Sequence, residues 1–165
     1  MRDPRKYYFI VIVIFFLGTL FMSIQNSRKV HTVRLLMKER QSQYLVVKKV
    51  CIPRSSSSND KIFWILKELI SGPISNQYER VLDPDIEIQR IVIRKNIAYV
   101  SFNWKIIDSL HKNPAFVISS IVNSILMNIR EIEGVKILIE DIEPVSTLGN
   151  ISLGGTFNEC LKTVQ

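Results

Sequence analysis

Residues 86–103 read IEIQRIVIRKNIAYVSFN, and the rest of the chain can be placed around them. Two runs rich in β-branched and aromatic residues flank one polar pair, Lys95-Asn96. In the second run Ala98, Val100 and Phe102 fall on one face, and Ile97, Tyr99 and Ser101 on the other. A period of two is that of a strand. Strands joined by so short a connection are antiparallel neighbours. A lone hairpin is marginal in water, so its apolar face needs a cover. Two amphipathic segments on either side, residues 61–70 and 116–129, are the candidates.

Upstream, Val33, Leu35 and Met37 alternate with Arg34, Leu36 and Lys38, which predicts a strand; residues 44–50, rich in Val, predict a second. Pro53 and four consecutive serines make residues 51–60 a loop. The first helix spans residues 60–70 with a stripe of Ile62, Phe63, Leu66, Leu69 and Ile70. Ser58 or Asn59 can cap it, and Gly72-Pro73 ends it. Residues 74–85 read as a polar connection and 104–112 as irregular. Asn113-Pro114 opens the second helix, with the Asn side chain as cap. Its apolar stripe includes Val117, Ile118, Ile121, Val122, Ile125 and Ile129, with Ser119, Ser120, Asn123 and Asn128 opposite. Gly134 is a stop, and residues 135–141, apolar on both faces, predict a final strand central in its sheet. The fold class is α+β: two helices packed on one face of a mixed β-sheet.

The N-terminus is of another kind. Residues 7–24 carry no charge and are mostly apolar, near the length of about 20 residues that a bilayer-spanning helix needs. The run is longer than a usual signal-peptide core, and no small-x-small cleavage site follows it. An uncleaved anchor is the reading it favours; a signal peptide cut near Ser27 is the alternative. No Cys follows the run for lipid attachment. The chain then divides into a basic tail (1–6), a transmembrane anchor (7–24), a juxtamembrane linker (25–32) and a body (33–165). The expected location is the inner membrane, single-pass, with the body outside the cytoplasm.

Charge follows the same division. Residues 1–54 hold eleven Lys and Arg against Asp3 and Glu39, a balance of +9 within a chain total of +7, so residues 55–165 carry −2. Basic charge beside an apolar leader suits anionic headgroups better than nucleic acid.

Reactive constellations are sparse. His31 and His111 lack the spacing of a metal pair, and Cys51 and Cys160 are not in Cys-x-x-Cys form. The two cysteines could bridge outside the cytoplasm or stay as free thiols. Acids cluster at Asp83, Asp85, Glu87 and at Glu140, Asp141, Glu143, in loops where solvated turns are a better reading than an acid–base pair. Leu153-Gly154-Gly155 lacks the Lys of a phosphate loop. Trp64 and Trp104 are candidate anchors for a partner or a glycan, or edges of the core. No catalytic, cofactor or metal residue is assigned.

The pattern with its residues resembles the sporulation and spore germination domain called GerMN. The matching segments are Leu45-Val46-Val47-Lys48-Lys49-Val50, residues 66–70 running into Ser71-Gly72-Pro73, Ile91-Val92-Ile93 with Ile97-Ala98-Tyr99-Val100-Ser101-Phe102-Asn103, the 118–129 helix and Val135-Lys136-Ile137-Leu138-Ile139. The similarity covers most of residues 33–153. Where the family usually turns its hairpin with Asp-Gly, this chain has Lys95-Asn96. The resemblance implies a non-catalytic module of the bacterial envelope without a cofactor, working by self-association or with envelope proteins. Binding of a cell-wall polymer such as peptidoglycan is the alternative.

Overall fold

A computed structural model describes residues 12–19, 30–41, 44–145, 147–148 and 151–158. The central hairpin is β4 (Ile88–Arg94) and β5 (Ile97–Phe102), paired antiparallel. Lys95 (φ 49°) and Asn96 (φ 62°) are both left-handed, as a two-residue hairpin matching the strand twist requires. Ala98, Val100 and Phe102 are completely buried, as their alternation predicts.

On the far side of β5, β6 (Gly134–Ile139) runs parallel to it. The sequence places this last strand at the centre of a sheet; the structure gives the centre to β5, in the order β4-β5-β6. Val135 and Ile137 are fully buried on one face of β6, and Lys136 and Leu138 on the other are half-buried. Beyond β6, Val135 bridges Phe157 of the C-terminal segment. That segment passes so close that a Cβ on Gly134 would meet Asn158 Oδ1 and Thr156 Cγ2 at 2.6 Å. Gly134 therefore opens the strand, and is not a helix stop.

The remaining strands form a second sheet. β1 (Val30–Glu39) pairs antiparallel with β2 (Leu45–Pro53) on one side and with the two-residue β3 (Tyr78–Glu79) on the other, in the order β2-β1-β3. β1 takes in residues 30–32, the last of the segment read as a linker. A small pair, β7 (Thr147–Leu148) and β8 (Ile151–Ser152), completes the strands. The single mixed sheet expected from the sequence is thus two three-stranded sheets.

The physical reason lies in the helices: α1 (Ser58–Ser71), α2 (Ile106–Lys112) and α3 (Pro114–Leu126). α3 occupies the position at which a further strand would join β1. Leu36 N donates to Ser124 Oγ at 2.9 Å and Arg34 N to Asn128 Oδ1 at 2.9 Å. Asn128 Nδ2 donates back to Arg34 O at 2.6 Å. Side chains at and just beyond the end of α3 saturate the edge, and an edge so covered cannot accept another strand.

This also corrects the polar face assigned to α3. Ser119, Ser120 and Ser124 are buried, because the helix packs against β1, β6, α1 and α2 at once. Asn113 makes no side-chain cap. α1 starts on Ser57, whose side chain accepts from Asp60 N, just before the expected Ser58 or Asn59. Its buried residues are Ile62, Ile65, Leu66 and Leu69; Phe63 lies at the margin. Gly72 closes it with φ 77° and an N–H to Glu68 O, and the next residue, Pro73, cannot continue a helix. α2 falls where the sequence reads irregular structure: it is seven residues long, and Lys105 at its start offers no capping side chain.

One core joins the two three-stranded sheets and α1, α2 and α3, with Leu35, Ile52, Leu66, Phe102, Ile106, Leu110, Ile121 and Ile137 among its members. Each such side chain contributes about 1.5–3 kcal/mol on burial. Residues 12–19 are helical and exposed. The rest of the 7–24 run lies outside the described residues. Among the described residues no helix is long and apolar enough to cross a membrane.

Candidate functional site

The acidic groups do not converge on a reacting position; each has a local task. At the end of β6, Glu140 (φ 51°) and Asp141 (φ 62°) form a tight left-handed turn closed by Ile139 and Ile142. A bulge in β4 between Ile88 and Arg90 re-aims Gln89 towards it. Gln89 Nε2 donates to Glu140 Oε2 at 2.7 Å, and Ser101 Oγ donates to Gln89 Oε1. Ser101 in turn accepts from Asp141 N at 2.8 Å. Glu140 Oε1 accepts from Trp104 N, and Asp141 pairs with Arg90 at 2.9 Å. Glu143 pairs with Lys136 at 2.7 Å. Carboxylates so engaged hold a corner together.

The first acidic group is likewise structural. Asp83 Oδ2 accepts from Ser109 Oγ at 2.9 Å and from Lys112 Nζ at 3.3 Å, tying α2 to the 80–86 connection. The Ser109 hydroxyl holds the Asp83 carboxyl below its ordinary value; burial opposes this, and Lys112 and Arg80 add to the lowering. Asn103 accepts from Glu87 N and donates to Asp85 O, both at 3.1 Å. Sequence reasoning misses Ser109, Asn103 and Gln89. For Ser109 the available signal is the i, i+4 pair Ile106 and Leu110, which marks the helix that carries it.

His31 and His111 are both exposed and far apart in sequence, and among the described residues no group of three His, Cys, Asp or Glu could hold a metal ion. Cys51 is exposed and free, and Cys160 lies outside the described residues. Trp64 packs against the core, edge-on to Phe63. Trp104 is 53% exposed, with Lys105 Nζ 4.1 Å from its ring centre. An open cleft of about 580 Å³ lies between α1 and the start of β4, lined by Phe63, Lys67, Arg80 and Ile88. Its cations are partly committed: Arg80 Nη1 and Nη2 bind Ile70 O and Ser71 O, capping α1.

What the described surface offers is backbone and shape. β2 is an edge strand of nine residues. Because Arg34 N and Leu36 N point to α3, the odd-numbered N–H groups of β1 face β2. With the register Leu35↔Lys48, the even-numbered groups of β2 complete that ladder. The N–H and C=O groups of Val47, Lys49 and Cys51 therefore point outward. An open edge of this length is a template for pairing.

Comparison with known proteins agrees with this architecture. The first GerMN domain of the sporulation protein GerM from Bacillus subtilis superposes with a TM-score of 0.60 at 17% identity, over 79% of this chain and 97% of that one. The tandem GerMN domains of the same protein give 0.53 at 20% identity, over 68% of this chain and 39% of that one. A putative lipoprotein from Clostridium perfringens gives 0.52 at 15% identity, over 78% and 86%. At these identities the likeness is one of fold. No sequence among curated proteins matches the chain. The model of the Germane family, described as sporulation and spore germination, matches residues 24–145, and the chain belongs to that family.

Proposed function

We propose that this protein is a membrane-anchored, non-catalytic module of the cell envelope that works through its surface, by self-association or as part of an envelope complex. The observation that carries the reading is the open edge of β2, where the outward N–H and C=O groups of three alternate residues, Val47, Lys49 and Cys51, have no strand beside them among the described residues. The engagement of Asp83, Glu140, Asp141 and Glu143 in local bonds supports a role without turnover. The apolar run 7–24 supports a tether in the inner membrane, with the body outside the cytoplasm. The test is the mass of the purified full-length chain in detergent by light scattering. A species larger than the monomer, or a co-purifying envelope protein, supports the reading; a strict monomer with nothing bound sinks it.

A second reading rests on Trp104. Its side chain is half-exposed, and its main-chain N–H bonds Glu140, which also accepts from Gln89, so an exposed aromatic residue stands at a polar corner of the kind that holds a peptidoglycan glycan. Purified cell wall that retains the native chain but not Trp104→Ala would favour it.

A further inference from the structure

We propose that the outer face of the β1–β2 ladder docks on anionic phospholipid headgroups, so that the body lies against the bilayer. The proposal rests on the anchored reading above. The register sets Arg34 directly opposite Lys49, and both are exposed. Like charges so placed destabilise a ladder unless an anion lies over them. Neither residue forms an ion pair among the described residues; Arg34 donates to Met127 O at 2.7 Å, which leaves its charge uncompensated.

Exposed residues flank Lys49 along β2, Val47 on one side and Cys51 on the other, and exposed Arg54 follows the end of the strand. Residues 30–38 and 45–54 contain no Asp or Glu. The nearest paired acid, Glu79, is at the other end of the ladder on Lys38. Position adds to charge. Val30 follows Ile24 by six residues, so it lies within about 20 Å of the end of the apolar run. Arg34, Lys49 and Arg54 all fall within four rungs of the Val30↔Pro53 pair, where the chain enters the sheet. Cations interleaved with an exposed valine beside a tether suit a lipid surface: the charges meet phosphates and the apolar group meets the interface.

Cys51, on the same face as Lys49, reports contact directly. The full chain carrying Cys160→Ser is placed in lipid discs of phosphatidylcholine, with or without phosphatidylglycerol. The rate at which a bulky hydrophilic maleimide modifies Cys51 is then measured. We expect modification to slow about fivefold or more when phosphatidylglycerol is present. The difference should vanish near 1 M salt, where the screening length is about 3 Å. Lys49→Glu and Arg54→Glu, both on exposed positions, should each abolish most of it without lowering the thermal midpoint. Equal rates in the two discs, or equal slowing in both, overturn the proposal. Equal protection by soluble polyphosphate or duplex DNA assigns the face to a free polyanion and also overturns it. Failure of the anchored reading shows separately, as a chain that enters neither disc, and takes the proposal with it.

Discussion

Asp83 shows how a single carboxylate can look catalytic and be structural. Its carboxyl is held below the ordinary range chiefly by the Ser109 hydroxyl, with Lys112 assisting. A depressed folded value means that the carboxylate stabilises the fold above its unfolded value of about 3.9. That contribution is lost as pH falls through the lower folded value. Asp83→Asn should therefore cost about 1 kcal/mol at neutral pH, a typical hydrogen-bond contribution limited by the partial exposure of the side chain. Urea midpoints should show the difference shrinking below about pH 4; a penalty that stays constant with pH would contradict the assignment. Lys95 offers a test of opposite sign. It holds a left-handed conformation, where a side chain longer than Asn or Asp is costly. Lys95→Asn keeps a residue that favours this conformation without adding the freedom of glycine. A gain of about 0.5 kcal/mol is expected, read as a rise of a few degrees in the thermal midpoint.

At the scale of elements, α3 does the work of a strand. Ser124 and Asn128 place an acceptor on Leu36 N and a donor–acceptor pair on Arg34. Ser124→Ala orphans a buried N–H and should cost about 1–3 kcal/mol. Ser124→Ala together with Asn128→Ala should speed amide exchange at Arg34 and Leu36 while the β4–β5 ladder stays protected. Unchanged exchange at those two amides would show that the helix is not what closes the edge. The same pair of residues explains where sequence reading stops. Ala98, Val100 and Phe102, the Gly72-Pro73 stop and the two long helices are local patterns, and all are legible. Ser124 and Asn128 carry no period that says they bond to a strand some ninety residues earlier. The division into two sheets was therefore illegible, and with it the buried serines of α3. Tyr78-Glu79 is too short to have a period, and α2 too short and too poorly capped to announce itself.

For the whole molecule, the candidate surface was not legible as residues because it is made of main chain. Side-chain alternation in residues 45–53 tells which face is buried, and is silent on which edge is open. The edge opens because β1 is closed on its other side by α3 and β3, leaving β2 outermost. If assembly uses this edge, a change that removes one outward donor should dissolve it and leave the body intact. Val47→Pro is that change. The Val47 N–H faces away from β1, so proline deletes no bond of the ladder, and edge strands tolerate proline on that side. Val46 and Lys48 keep their pairing with Met37 and Leu35. The expected result is a thermal midpoint within a few degrees of the parent and loss of the higher-mass species in light scattering. An assembly that survives Val47→Pro at full mass would move the joining surface elsewhere, to the cleft between α1 and β4 or to the corner of Trp104.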